Sequence, residues 1–313
     1  MSLKLQNYEP PQAWTGREDP DRERLHDQIT PVDLQAPIEK SEGIGFLGFC
    51  SDEGVRRNQG RVGAVEGPKA LRESLQNIPV NGGPYYDFGD IHCQGEDLEA
   101  AQIQLGASVA TMLTRGIRPI LLGGGHEVSW GHFQGICSAL PGKHIAIVNI
   151  DAHYDLRPLL DDQKGSSGTS FLQISQWCQS MGVPFHYSCI GVQKLGNTNS
   201  LFRQADELGV RTVYADQIHR EGVQVAMQEI EHVIAEHDHI YLTICLDAFA
   251  APYAPGVSAP QVLGLNPWHV IPLLQRLTES NKVISLDVAE MSPKYDIDGR
   301  TAQLGAALIS QFL

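Results

Sequence analysis

The sequence predicts an α/β fold in which a mainly parallel sheet is covered by helices on both faces. Short apolar runs alternate along the chain with longer stretches whose apolar residues recur at three- and four-residue intervals. The short runs are continuously apolar, which is typical of strands buried on both faces. No internal repeat, low-complexity tract or linker interrupts the pattern. One α/β domain is therefore expected.

The individual elements follow from these patterns. Strands are predicted over residues 43–50, 117–122, 144–150, 187–192, 211–214, 240–246 and 283–288. Helices are predicted over 97–114, 223–236 and 267–279; in the first of them Leu98, Leu105 and Val109 share one face. Residues 1–40 are polar and contain a charged run at 17–24. We expect them to form an N-terminal surface arm or short helix ahead of a single domain at 41–313.

Composition restricts the classes of partner. The 313 residues carry 23 Lys and Arg against 37 Asp and Glu, a formal charge of −14, and 42% of them are apolar. An acidic chain disfavours nucleic-acid binding, and no apolar run approaches the roughly 18 to 20 residues that span a bilayer. Residues 1–10 lack a signal-peptide pattern, and the six cysteines form no CxxC pair. We expect a cytoplasmic protein whose partner is a small molecule rather than nucleic acid or membrane.

Polar residues with metal-binding chemistry follow three of the apolar runs. GGGHE occupies 123–127, DAHYD occupies 151–155, and CLD occupies 245–247. Ligands of parallel sheets gather beyond the carboxyl ends of the strands, so these segments should meet. The candidate metal ligands are His126, Asp151, His153, Asp155 and Asp247.

The spacing supports a cation at this point. Asp151 and His153 are two residues apart and lie on one side of an extended chain, and Asp155 joins them if the chain turns. Converging carboxylates repel one another unless a cation neutralises them. Imidazole with carboxylates suits Mn²⁺, Fe²⁺, Zn²⁺ or Ni²⁺, and the excess of carboxylates favours Mn²⁺. Any one motif alone could be a turn or a hydrogen-bonded core residue; their coincidence at three strand ends favours a metal site.

At these residues the sequence resembles the ureohydrolase (arginase–agmatinase) family, whose hallmark segments are GGxH, DAHxD and DxD. The resemblance runs from about Gly43 to Leu308. It implies a three-layer α/β/α sandwich around a mainly parallel sheet. Further segments resemble the branch that hydrolyses N-formimidoyl-L-glutamate to L-glutamate and formamide in histidine degradation: residues 51–61, 124–128, 155–158, 167–169 and 254–260.

The resemblance also implies roles for individual residues. The five candidate ligands match those of a two-manganese centre in which Asp151 bridges the ions. Glu290 matches the acidic residue that receives the cationic nitrogen of the substrate. The implied mechanism is attack of a metal-bound hydroxide on the formimidoyl carbon, with Asp155 orienting that hydroxide. Family members are commonly homo-oligomers, and the same state is expected here.

A substrate with two carboxylates requires cationic recognition, for which the forked guanidinium of Arg is suited. Arg157 lies two residues beyond the last ligand of its segment, and Arg61 lies in the loop after the first predicted strand. Either could instead be a solvated surface charge. Weaker candidates for substrate binding are Asn58, Ser167 and Thr169, because polar turn residues usually serve their own backbone.

The chain departs from the family pattern at two positions. Ser167 stands where arginases and agmatinases carry a His, which removes a proton shuttle and weighs against those branches. Cys245 stands where the family has a bridging carboxylate. With a neutral thiol, Asp151, Asp155 and Asp247 bring −3 against +4 from two divalent ions, and a thiolate is softer than Mn²⁺ prefers. We therefore expect one weaker ion or a different metal; the alternative is that Cys245 is a buried core cysteine.

Three functions follow from these features. The first is metal-dependent hydrolysis of N-formimidoyl-L-glutamate. The second is agmatinase or guanidinobutyrase activity, which Ser167 and the repulsion of a cationic amine by Arg157 disfavour. The third is a catalytically silent relative, since Cys245 replaces a metal ligand.

Overall fold

The structure is a computed structural model that describes residues 5–37 and 39–313. Its strands are β1 (Tyr8–Glu9), β2 (Ile29–Pro31), β3 (Gly43–Cys50), β4 (Tyr85–His92), β5 (Ile117–Leu122), β6 (Ala146–Ile150), β7 (His186–Val192), β8 (Arg211–Tyr214), β9 (Ile240–Cys245) and β10 (Val283–Ala289). Its α-helices are α1 (Leu25–Gln28), α2 (Glu53–Arg57), α3 (Gly67–Leu75), α4 (Leu98–Thr114), α5 (Val128–Ala139), α6 (Ser170–Met181), α7 (Asn199–Glu207), α8 (Ala215–Glu221), α9 (Gln224–Glu236), α10 (Pro267–Glu279) and α11 (Arg300–Ile309).

The strands form one sheet in the order β1-β4-β3-β5-β10-β9-β6-β7-β8, and β2 also pairs with β4. Every pairing is parallel except that of β1 with β4. Strands β5, β10, β9 and β6 are therefore consecutive neighbours at the centre. Their carboxyl ends meet at one edge, where ligands of such sheets bind.

Alternate residues of the central strands belong to two separate apolar cores. In β5, Ile120 and Leu122 pack into one core with α3, α8, α9, α10 and α11, while Leu121 packs into the other with α4, α5, α6 and α7. This two-sided burial explains why the strand sequences are continuously apolar. The predicted three-layer α/β/α sandwich around a mainly parallel sheet is confirmed.

The N-terminal segment is part of the sheet rather than a surface arm. Strands β1 and β2 both pair with β4, and the side chains of Leu25 and Leu34 are 0% and 1% exposed. The short helix allowed by the prediction occurs as α1, but the prediction of an arm outside the core is wrong. The segment covers the edge of β4, whose backbone groups would otherwise be unpaired. Residues 1–4 and 38 of the predicted arm lie outside the described residues.

Strand β4 was not predicted because polar residues interrupt its pattern. Asp87 is buried in it, and the Arg72 guanidinium of α3 donates to both Asp87 carboxylate oxygens at 3.0 Å. A buried carboxylate is tolerated when a paired cation satisfies it, and that partner is distant in the sequence.

Predicted strands 43–50, 117–122 and 211–214 and helix 267–279 match the structure, and the other predicted bounds shift by one or two residues. No helix of the described part of the chain is long and apolar enough to span a membrane.

Helices α4 and α5 approach so closely that their backbones touch at glycines. A Cβ atom on Gly135 would lie 2.5 Å from the Gly106 carbonyl oxygen and 2.6 Å from the Val109 Cβ. Alanine at this position therefore requires the helices to separate.

We predict that Gly135→Ala lowers the free energy of unfolding by about 1 to 3 kcal/mol, because overpacking against backbone outweighs the gain in helix propensity. Chemical denaturation checks this, with Ser138→Ala at an exposed position of α5 as the control. An unchanged or increased stability of Gly135→Ala would contradict the close packing.

Candidate active site

Glycines after β5 bring the loop that carries His126 against the end of β3. A Cβ on Gly124 would lie 1.8 Å from the Ser51 carbonyl oxygen, and the Gly125 N–H donates to that oxygen at 2.9 Å. The Gly123 N–H donates to the carbonyl of Val288 in β10 at 2.8 Å. Only residues without side chains allow this backbone approach, so the glycines fix the place of His126.

The His126 imidazole lies between two carboxylates. Its Nδ1 is 3.0 Å from an oxygen of Asp151 and 2.9 Å from an oxygen of Asp155. Asp155 reaches this point because the chain turns there, with Asp155 at φ 48°. The loops after β5 and β6 thus deliver three of the predicted ligands to one point.

A second group of ligands shares Asp151. The His153 Nδ1 is 3.2 Å from an oxygen of Asp247 and 3.6 Å from the second oxygen of Asp151. That second oxygen also accepts the His153 N–H at 2.8 Å, and the Asn149 amide donates to the first at 3.1 Å. Asp151 therefore presents one oxygen to each group, as a bridging ligand requires.

Cys245 lies in the first group. Its thiol donates to an Asp247 oxygen at 2.9 Å, and one ligand atom each of His126, Asp151 and Cys245 lie within 4.8 Å of one another. Cys245 also lines the cavity described below. The alternative of a cysteine that faces the apolar core is therefore wrong.

The charges at this point favour a cation. Burial opposes a charge on His126, but the nearby carboxylates of Asp151 and Asp155 outweigh it and raise the pKa of the imidazole. Burial raises the pKa of Asp155 and of Asp247, and the charge of Asp151 adds to both. The surroundings thus stabilise a positive charge on the His126 imidazole and disfavour negative charge on Asp155 and Asp247. A divalent cation bound here would offset that negative charge.

The donor set fits two divalent cations that share Asp151. The His126 Nδ1 is buried and has no hydrogen-bond partner among residues 5–37 and 39–313. One group offers His126, Asp151 and Cys245 and the other Asp151, His153 and Asp247, and Asp155 adds a further oxygen to the first. Nitrogen and carboxylate ligands of this kind suit first-row divalent metals.

Glu290 follows β10 and presents a free oxygen to the cavity. Its Oε1 accepts the backbone N–H of His126 at 2.9 Å, while Oε2 is buried without a hydrogen-bond partner in the described chain. Its backbone has φ 71°, a left-handed conformation that is uncommon outside glycine. Burial, and then the negative charge of Asp247, raise the pKa of Glu290 to about 7. An incoming N–H donor would satisfy this carboxyl group.

A buried polar network holds His126 from behind. The His126 Nε2 donates to the Thr243 hydroxyl at 2.9 Å, and that hydroxyl donates to Asp287 at 2.6 Å. The other Asp287 oxygen accepts from Tyr241 and from the His132 Nδ1 at 2.6 Å. With Nε2 occupied as a donor, the neutral form of the His126 imidazole carries its lone pair on Nδ1, which is the tautomer of a metal ligand.

The ligands other than Asp151 line the floor of a cavity of about 300 Å³. The predicted substrate contacts Asn58, Arg61, Arg157 and Ser167 line it. Arg157 is exposed, and within the described chain its guanidinium has no paired acid. A Cβ on Gly168 would lie 2.8 Å from the Arg157 Cδ and 2.9 Å from the Asn58 Oδ1, so this glycine brings the two side chains together.

Two of the predicted substrate residues have structural roles. The Arg61 guanidinium donates to the carbonyls of Val257 and Ser258 and lies 4.1 Å from the ring centre of Tyr295, so it fastens the 257–258 loop at the cavity wall. Thr169 does not line the cavity. Its hydroxyl bonds to the backbone of Ser166 and to Gln173 within its own turn, as turn threonines commonly do.

Other residues at the site were not predicted. Asn197, Leu201 and Ser258 line the cavity, and Asn197 accepts the Tyr154 N–H at 3.1 Å. Asn197 follows β7 at the same edge of the sheet, a position that could have singled it out. Thr243 lies within β9 and gave no signal of its own, because its partners come from distant strands.

Comparison with known proteins agrees with this geometry. The arginase family model matches residues 42–313. The chain belongs to the arginase family. It is 44% identical to a formimidoylglutamase of Legionella pneumophila (strain Lens) over 99% of this chain and 98% of that protein. It is 42% identical to a formimidoylglutamase of Geobacillus thermodenitrificans over 98% and 97%. A crystal structure of Trypanosoma cruzi formiminoglutamase with Mn²⁺ superposes with a TM-score of 0.78, at 26% identity, over 88% of this chain and 94% of that chain.

We predict that Thr243→Val weakens binding of Mn²⁺ about 10- to 100-fold, because the His126 Nε2 loses its acceptor and the imidazole loses its orientation. Titration of the metal-free protein with Mn²⁺ measures this. Thr243→Ser keeps the hydroxyl and should restore the affinity. Equal affinities in the valine and serine variants, both folded by circular dichroism, would show that the hydroxyl does not position His126.

Proposed function

We propose that this protein hydrolyses N-formimidoyl-L-glutamate to L-glutamate and formamide with the aid of two divalent cations. The observation that carries the proposal is the pair of ligand groups sharing Asp151 at the floor of a cavity, with the free guanidinium of Arg157 at its wall. Two formimidoylglutamases that are 42% and 44% identical over nearly the whole chain support the substrate.

The ligand groups define which residues would hold the cations. His126, Asp151 and Asp155 would hold one and Asp151, His153 and Asp247 the other, with Cys245 beside both. We propose Mn²⁺ because carboxylates dominate the set and because the Trypanosoma cruzi relative was crystallised with that ion. When bound, such ions lower the pKa of water and polarise the group under attack.

The chain's own residues orient the reaction. Glu290 offers its free Oε2 to an N–H of the cationic formimidoyl group and so fixes the carbon above the floor of the cavity. Asp155 accepts a proton of the attacking water, whose oxygen bonds to the formimidoyl carbon. The tetrahedral intermediate then breaks its C–N bond to the glutamate nitrogen, which leaves as the amine once it has taken up a proton. Formamide and L-glutamate are the products.

Arg157 supplies the recognition of the glutamate part. Its guanidinium matches a carboxylate bidentately, and Asn58 beside it can donate a further hydrogen bond. The same positive charge would repel the free amine of agmatine or the cationic groups of similar guanidino substrates. Ser167 supplies no imidazole for proton transfer. Both features disfavour a ureohydrolase that acts on guanidino compounds.

Two wider properties remain our predictions. We expect a homo-oligomer and a cytoplasmic location. The sequence resemblance supports the first, and the cysteine pattern, with six free thiols in the structure, supports the second.

A direct assay tests the function. Purified protein with Mn²⁺ should release formamide from N-formimidoyl-L-glutamate and no urea from agmatine. Release of urea alone would support the guanidino-hydrolysing alternative, and no turnover with any divalent metal would support the silent relative.

We predict that Arg157→Met raises KM for N-formimidoyl-L-glutamate about 10- to 100-fold and changes kcat far less, because a charged hydrogen bond to substrate contributes about 1.5 to 3 kcal/mol. Steady-state kinetics measure both constants. Arg115→Met, which removes an exposed arginine at the end of α4, is the control. A loss confined to kcat would place Arg157 outside substrate recognition.

Cys245 tests the metal centre separately. We predict that Cys245→Asp binds Mn²⁺ more tightly than the natural chain, since it adds a hard anionic oxygen where a neutral thiol now lies between Asp247 and Asp151. Metal stoichiometry and affinity are measured on both, with Cys245→Ser as a neutral oxygen control. If the natural chain and Cys245→Asp bind the same number of ions with equal affinity, the thiol does not weaken the site.

A further inference from the structure

A second group of metal-binding side chains lies on β3 and β4, beside the central strands that carry the active site. In the register of β3 with β4, Cys50 is paired with His92 and Gly48 with Asp90. Paired and alternate residues point to one face, so Cys50, Asp90 and His92 project together at the carboxyl ends of these strands. One ligand atom from each lies within 4.8 Å of the other two.

A fourth side chain comes from β1. Glu9 is paired with Asp90 in the antiparallel register, and a Glu9 carboxylate oxygen lies 3.1 Å from the His92 Nε2. That nitrogen is buried, and no atom of the described chain meets it in hydrogen-bond geometry. The His92 Nε2 therefore faces the Glu9 carboxylate without forming a hydrogen bond to it, and it remains available as a metal ligand.

Neighbouring residues hold the Asp90 carboxylate in place. A Cβ on Gly48 would lie within bonding distance of the Asp90 Oδ1, so only glycine leaves room for this carboxylate over β3. The Arg72 guanidinium donates to the same Oδ1 at 2.7 Å, which leaves Oδ2 free. Cys50 beside it is only 8% exposed.

The surrounding charge favours a cation. The group opens into a cavity of about 510 Å³ whose lining carries five acidic side chains and two basic ones: Glu9, Glu66, Glu73, Asp87 and Asp90 against Lys69 and Arg72. The net charge is −3 while the Cys50 thiol keeps its proton. This cavity shares no lining residue with the candidate active site.

We propose that Cys50, Asp90, His92 and Glu9 form a second metal site that binds Zn²⁺. Thiolate, imidazole and carboxylate together suit Zn²⁺ in four-coordinate geometry, whereas the carboxylate-rich active site suits Mn²⁺. Ligand distances of about 2.0 to 2.3 Å place tetrahedral ligand atoms roughly 3.5 Å apart, so Cys50, Asp90 and His92 need to close by about 1 Å, and Glu9 already lies 3.1 Å from the His92 Nε2. Binding releases the Cys50 proton, since zinc binds the thiolate.

Such a site would join the N-terminal segment to the body of the sheet. Strand β1 contains only two residues, and Glu9 is one of them. A bound ion would link β1 to β3 and β4 through side chains and would stabilise the edge of the sheet. Ser51, next to Cys50, accepts from the loop that carries His126, so the two sites are also neighbours along the backbone.

Co²⁺ is the probe, because thiolate ligation gives it a near-ultraviolet charge-transfer band. The test uses the full-length Cys245→Ser chain, in which the active site offers no thiolate. We expect Co²⁺, titrated to three equivalents because the active site can take two, to produce the band, and an excess of Zn²⁺ to abolish it. Cys50→Ser in this background should eliminate the band, while Cys93→Ser, at a half-exposed cysteine outside the group, should keep it.

His92→Gln and Glu9→Gln separate ligation from folding, since both side chains are partly exposed. Each should weaken binding of Zn²⁺ at least about tenfold in the same background. Absence of the band in Cys245→Ser, its survival in Cys50→Ser, or unchanged affinity in His92→Gln would overturn the proposal. Formamide release is measured on separate samples, so these outcomes leave the proposed function untouched.

Discussion

The repulsion among buried carboxylates around Asp151 is the constraint on which the rest of the site depends. Asp151, Asp155 and Asp247 come within reach of two imidazoles, with Asp151 and Asp247 buried and Asp155 facing the cavity. Burying an ion costs several kcal/mol unless a partner offsets it, and two imidazoles cannot offset three carboxylates and also serve as ligands. The fold is thus built around positive charge that divalent cations would supply.

The parallel sheet makes this concentration of charge achievable. Neighbouring strands end at the same edge, so each apolar run contributes rigidity and the residue after it contributes chemistry. Behind the edge, the Thr243–Asp287–His132 network is fully buried and hydrogen-bonded. It holds His126 without touching the cavity. The site therefore depends on three features together: apolar strands that form a rigid sheet, polar residues at the ends of those strands, and a buried hydrogen-bond network that positions His126.

The sequence alone could predict much of this. Strand ends with His and Asp were visible because continuous apolar runs mark buried strands, and GGGH, DAHYD and CLD follow them directly. Glu290 was identified by resemblance, since one acid after a strand has no distinctive pattern. Strand β4 was not predicted because Asp87 interrupts its apolar pattern and is buried only through its pairing with Arg72, which is distant in the sequence. The buried network behind His126 was not predicted for the same reason. The roles of Thr243 and Asp287 depend on hydrogen bonds to residues on other elements, which the sequence alone does not reveal.

Two of the residues proposed to act on the substrate have an uncommon backbone. Asp155 and Glu290 adopt φ values of 48° and 71° without being glycine, a conformation that costs about 1 to 3 kcal/mol where the surroundings impose it. Selection for heat resistance alone would therefore favour glycine at both places, and each such gain would remove a reacting carboxylate. Attempts to raise the thermostability of this enzyme should therefore keep Asp155 and Glu290 and introduce stabilising substitutions at other positions.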